Sequence, residues 1–140
     1  MGTFVSTSKK FVFVHVPRTA GAFIVNLCLG KHGFKLKDRG YTDYHHLSCK
    51  NIPEEFSEYY KFGFMRNPFD RFVSIYFYQR GDRYPGPTKN KELALNNNFN
   101  EWIYKWVDLF GNVEQLDFLD GVDFIGKYET LNKDLTFLCK

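Results

Sequence analysis

Two short segments of this chain each join an apolar, strand-like run to a polar turn, and each turn opens a helix-like segment. The first runs from Phe11 to Val16 into Pro17-Arg18-Thr19-Ala20-Gly21, and the second from Lys61 to Met65 into Arg66-Asn67-Pro68. Short, nearly continuous apolar runs suit strands buried on both faces of a parallel sheet. A strand that ends in a tight turn and feeds a helix aims backbone N–H groups at that turn, where the helix dipole also favours an anion. Two such units confine the fold to alternating strands and helices. They also put two anion-binding turns at one edge of the sheet.

The rest of the chain fits this frame. Ala22 to Leu29 is apolar nearly all round and reads as a buried helix, with Gly30 as its stop. Phe34 to Leu36 reads as a short strand, and Tyr44–Lys50 and Pro53–Tyr59 as short helical or irregular pieces. The next helix is signalled at its start, because Asn67 suits the N-cap, Pro68 the first turn and Asp70 the dipole. Phe69, Phe72, Val73, Tyr76, Phe77 and Arg80 then follow helical spacing and predict its apolar face. Residues 81–98 hold Gly, two Pro and three consecutive Asn, which predicts a long loop of the kind that closes over a site. Phe99, Trp102, Ile103, Trp106, Val107 and Phe110 predict an amphipathic helix whose tryptophans belong first to the core. A last strand at Val122–Tyr128 and a last helix at Leu131–Cys139 complete a three-layer parallel sheet of P-loop nucleotide-binding type, flanked by helices, in a single compact domain over residues 1–140.

Composition removes several classes of function. A formal charge of +3 over 140 residues suits an anionic ligand but is too small for a nucleic-acid footprint. Cys28, Cys49 and Cys139 are spaced for neither a zinc site nor a redox pair, and they read as reduced, two of them in the core. The N-terminus lacks the apolar stretch of a signal peptide or membrane span, so the expectation is a cytoplasmic protein with no membrane partner.

The turns carry the chemistry. Gly21 lets the backbone approach a ligand closely, Thr19 brings a hydroxyl and an N–H, and Arg18 a permanent charge with forked donors. The segment is not a Walker A loop, because Gly-Lys-Ser/Thr is absent. In the second segment, Arg66 and the Ser74 hydroxyl can share one phosphate through charge-assisted and neutral hydrogen bonds. Two phosphate-sized sites at one sheet edge suggest a nucleotide with phosphate at both ends.

The two loops, at 15–23 and 66–74, resemble the cofactor loops of sulfotransferases that use 3′-phosphoadenosine 5′-phosphosulfate (PAPS), in particular the carbohydrate-type branch. The second loop carries the likeness through Arg66, Asn67, Pro68, Phe69, Asp70, Arg71, Ser74 and Tyr76, and the first through His15, Pro17, Thr19, Ala20 and Gly21. Phe124-Ile125-Gly126-Lys127-Tyr128-Glu129 is similar to the family's late strand. The resemblance implies that residues Pro17, Arg18, Thr19, Ala20, Gly21, Ala22 and Phe23 wrap the 5′-phosphosulfate, while Arg66 and Ser74 hold the 3′-phosphate. It implies in-line sulfuryl transfer to an acceptor hydroxyl, with Arg18 stabilising the leaving oxygen, no metal, and 3′,5′-bisphosphoadenosine as product. It also points to a histidine base in the Tyr44-His45-His46-Leu47-Ser48 stretch: His46 first, then His45. His15 reads as packing beneath the loop, and His32 as an exposed residue past a helix end.

The chain departs from the family pattern in three places. Arg18 stands where the family has Lys, Ala22 and Phe23 stand where two hydroxyl residues are usual, and the sequence ends soon after its last predicted helix. These departures keep a second reading open, a non-catalytic binder of 3′,5′-bisphosphoadenosine. A P-loop nucleotide kinase ranks third. For an acceptor, a sugar or another hydroxyl compound, Arg80 together with Arg83, Tyr84, Lys89 and Lys91 of the 81–98 region are the candidates to close over it.

Overall fold

The computed structural model describes residues 2–30, 40–110 and 114–140. Their contacts divide the chain into two units, Met1–Arg66 with Glu114–Lys140, and Asn67–Val113. The strand expected at Phe34–Leu36, and His32, lie outside the described residues.

The first unit is built on a five-stranded sheet. Its strands are β1 (Thr3–Ser6), β2 (Phe11–Val14), β3 (Tyr41–Tyr44), β4 (Tyr60–Met65) and β5 (Phe124–Lys127). They lie in the order β3-β1-β2-β4-β5. Strands β2, β4 and β5 are parallel, as the apolar runs predict, but β1 is antiparallel to both β2 and β3. The sheet is therefore mixed, which corrects the all-parallel expectation. The physical reason is the short turn at Thr7–Lys10, with Lys10 at φ 56°. So short a connection can only return the chain beside itself, because a parallel neighbour needs a crossover.

Alternation along the strands sorts the core into two faces. Phe4, Phe13, Phe62 and Phe64 point to one face and pack with Ile24, Val25 and Cys28 of helix α1 (Gly21–Cys28), and with Leu131, Leu135 and Leu138 of helix α6 (Leu131–Leu138). Val5, Val12 and Val14 point to the other, against Cys49 and Phe56 from two 3-10 turns and Leu119 from the short helix α5 (Gln115–Leu119). Gly63 permits that second packing, since a Cβ there would run into Leu119 and the Val14 carbonyl. Cys28 and Cys49 are buried, Cys139 is exposed, and no disulfide links them.

The second unit consists of helices α2 (Pro68–Arg80), α3 (Lys89–Asn96) and α4 (Phe99–Phe110). Asn67 caps α2 as expected, its Oδ1 accepting from the N–H groups of Phe69 at 3.0 Å and Asp70 at 3.3 Å. The buried face of α2 differs from the predicted one. Arg71, Ile75, Tyr76 and Gln79 are buried, whereas Phe69 is 79% and Phe77 64% exposed. Hydrogen-bond partners explain the choice. Trp102 Nε1 donates to Gln79 Oε1 at 3.1 Å, and the Tyr76 hydroxyl donates to the Asn97 carbonyl at 2.8 Å. Polar groups satisfied in this way can be buried at little cost.

The predicted loop at 81–98 contains α3. Thr88 caps it by accepting from Lys91 N–H at 3.3 Å, and Lys, Glu, Leu and Ala within it are good helix formers. Helix α4 forms where its periodicity puts it, and Trp102 is fully buried in the core of this unit. No helix among the described residues is long and apolar enough to cross a membrane.

Candidate functional site

Strands β2 and β4 are parallel neighbours, with Val14 opposite Gly63, so their C-terminal ends emerge at one edge of the sheet. After β2 the chain makes an unusual turn. Arg18 has φ 67° and Ala20 φ 68°, both left-handed and both costly for residues with a Cβ. Backbone bent in this way can gather successive N–H groups into an anion-binding concavity. Ala20 is also the N-cap of α1 and has no side-chain oxygen with which to cap it. The first-turn N–H groups of α1 thus receive no side-chain cap from the usual position. Helix α2 is the opposite case, since Asn67 already occupies the donors at its start.

Thr19 is fully buried, and its hydroxyl donates to the Val16 carbonyl at 2.7 Å. Its side chain closes the turn, leaving the backbone as its contribution to a ligand. Arg18, Ala22 and Phe23 are exposed, and Pro17 is half-buried. Beneath the turn lies His15, 7% exposed, its ring filling the space that a Cβ on Gly21 would take.

Arg66 leaves the end of β4 and turns toward the same place. Its Nη1 donates to the Arg18 carbonyl at 3.4 Å, and its guanidinium lies 4.1 Å over the Tyr128 ring. Its Nε is buried and meets no acceptor among the described residues. An anion at this spot would supply one, so the donors present fit a phosphate group. Ser74 belongs to α2 in the second unit and is half-buried.

His46 joins the first unit's cluster from the segment after β3. Its ring centroid lies 5.1 Å from that of His15 and 4.6 Å from that of His45. Thr3 ties this segment down: its hydroxyl donates to the Leu47 carbonyl at 2.7 Å and accepts from His15 N–H at 3.3 Å. Burial, and then the charge of His45, lower the His46 pKa from its ordinary 6.5, outweighing a backbone hydrogen bond with His15 that raises it. His46 is therefore a neutral imidazole at pH 7, which is the state a general base requires. Among the described residues, no group of three His, Cys, Asp or Glu could hold a metal ion.

In the second unit, an open cavity of about 840 Å³ lies between the 82–88 turn and α3, with Arg83, Lys89, Lys91 and Tyr84 in its lining. Lys91 Nζ donates to the carbonyls of Gly81 and Tyr84, at 3.1 and 3.2 Å, and Arg80 donates to the carbonyl of Ala94 at 2.7 Å. Those two cations stitch the unit together, while Arg83 and Lys89 stay exposed.

Two residues beside these groups have no signal of their own in the sequence, Thr3 and Gln115, the second exchanging hydrogen bonds with the Arg66 backbone. Thr3 sits in a strand that local periodicity did not reveal. Gln115 opens a five-residue helix whose sole local sign is the pair Glu114 and Asp117, where Glu114 N–H donates to Asp117 Oδ2 at 3.1 Å.

No curated protein and no solved structure matches the chain. A family model described as the sulfotransferase family matches residues 1–140. That match spans both strand-to-helix turns and the late strand, and the chain belongs to the sulfotransferase family.

Proposed function

We propose that this protein transfers a sulfuryl group from 3′-phosphoadenosine 5′-phosphosulfate to an acceptor hydroxyl on a carbohydrate. The supporting observation is that Arg66, from the end of β4, reaches the carbonyl of Arg18 in the left-handed turn after β2. When bound, the nucleotide brings an activated sulfuryl group on a phosphate leaving group. The chain's own part is to hold it, neutralise it and remove a proton. The turn from Pro17 to Gly21, with Ala22 and Phe23 in the first turn of α1, offers backbone N–H groups and the positive end of the helix dipole to the 5′ end. Arg18 keeps its charge at any working pH and balances negative charge near the turn. Arg66 takes the 3′-phosphate, and by the sequence likeness Ser74 shares it. An imidazole nitrogen of His46 accepts the acceptor's proton, with His45 as the alternative base.

Calorimetric titration with 3′,5′-bisphosphoadenosine, AMP and ATP tests the nucleotide, and labelled-sulfate transfer to a glycan panel tests the reaction. The bisphosphate should bind more tightly than AMP or ATP, and sulfate should appear on a glycan. Equal affinity for bisphosphate and AMP refutes the proposal.

A second reading, a binder without chemistry, is favoured by one observation. The two residues after Gly21, Ala22 and Phe23, bring no side-chain donors to the first turn of α1. Tight bisphosphate binding with no transfer to any acceptor would select it.

A further inference from the structure

Gln115 is a buried polar residue at the start of α5. Its Oε1 accepts from the Arg66 N–H at 2.8 Å, and its Nε2 donates to the Arg66 carbonyl at 2.7 Å, across 49 residues of sequence. This reciprocal pair fixes the orientation of the amide, since a flipped group would set donor against donor and acceptor against acceptor. The parallel ladder between β4 and β5 ends with Met65 opposite Lys127, one residue before Arg66. Gln115 therefore does for Arg66 what a further strand residue would have done, satisfying both backbone groups at the point where the sheet stops.

We propose that Gln115 is a positioning residue for Arg66. Its amide holds the backbone from which the guanidinium projects across Tyr128 toward the Arg18 carbonyl, so the side chain is set before a phosphate arrives. The proposal rests on the reading of Arg66 as the 3′-phosphate ligand. Arginine loses much rotamer freedom on binding, and a fixed starting point reduces that loss. No other residue type at 115 performs the task in full. Glutamate accepts from the N–H but cannot donate to the carbonyl, and methionine matches the length while doing neither.

The test is calorimetric titration of the full chain with 3′,5′-bisphosphoadenosine and with AMP. It uses the wild type, Q115M, R66A and the double variant R66A/Q115M, with circular dichroism to verify folding. Q115M should bind the bisphosphate about tenfold more weakly and AMP as the wild type does. In the R66A background, Q115M should change nothing, because the side chain it serves is gone. Should Q115M fail to fold, Q115E keeps the acceptor half and is expected to show the same selective loss. Unchanged bisphosphate affinity overturns the proposal, as does equal weakening for both nucleotides or an additive double variant. A wild type that does not prefer bisphosphate over AMP refutes the reading of Arg66 instead, so the two failures are separable.

Discussion

Replacing Gly21 by alanine should change sign in its effect on stability according to what occupies position 15. Gly21 is buried at the first position of α1, and its φ is outside the left-handed region, so alanine meets no backbone objection there. The objection is steric. An added Cβ would overlap Nε2, Cδ2 and Cε1 of the His15 ring. That ring cannot readily swing away, because it stacks on Phe13 at 5.8 Å and abuts His46 at 5.1 Å. Forcing a methyl group into so filled a space costs about 1–3 kcal/mol. In an H15A background the space is open, and the same substitution should stabilise by up to about 1 kcal/mol through backbone entropy and helix propensity. Urea denaturation of the four proteins, at unchanged m-value, measures the difference. The expected coupling is roughly 1–4 kcal/mol. An equal cost of G21A in both backgrounds would refute the view that His15 is the support beneath the turn.

Two further outcomes follow from the geometry. The lowered pKa of His46 means that the unfolded chain binds the proton more readily; stability should be full above about pH 6.5 and fall as pH drops through the lowered value, and H46Q should flatten that limb of a stability–pH profile. Trp102→Phe keeps an aromatic ring but strands Gln79 Oε1 in the core, so it should cost about 1–3 kcal/mol, with the double variant Q79L/W102F recovering part of the loss in thermal melts.

How much of this was legible beforehand depends on the range of the interaction involved. The apolar runs before Arg18 and Arg66 became β2 and β4, and Asn67-Pro68 opened α2, because each signal and its consequence lie within a few residues. The strand β1 went unread, since four residues carry too little periodicity and their pairing is settled by a turn. Within the site, His15 was expected beneath the first turn and lies there. The inward-turned hydroxyl of Thr19 was not expected, because its partner is chosen by the curl of the turn.

The buried side of α2 shows the same division most clearly. Counting apolar residues favoured Phe69 and Phe77, yet the helix buries Gln79 and Arg71 and leaves both phenylalanines exposed. Local sequence determines that a helix forms, since capping and propensity act between neighbours along the chain. Which face it buries and what steadies Arg66 were decided by tertiary structure alone. Those outcomes depend on partners such as Trp102, 23 residues from Gln79, and Gln115, 49 residues from Arg66, whose hydrogen bonds exist only once the chain has folded.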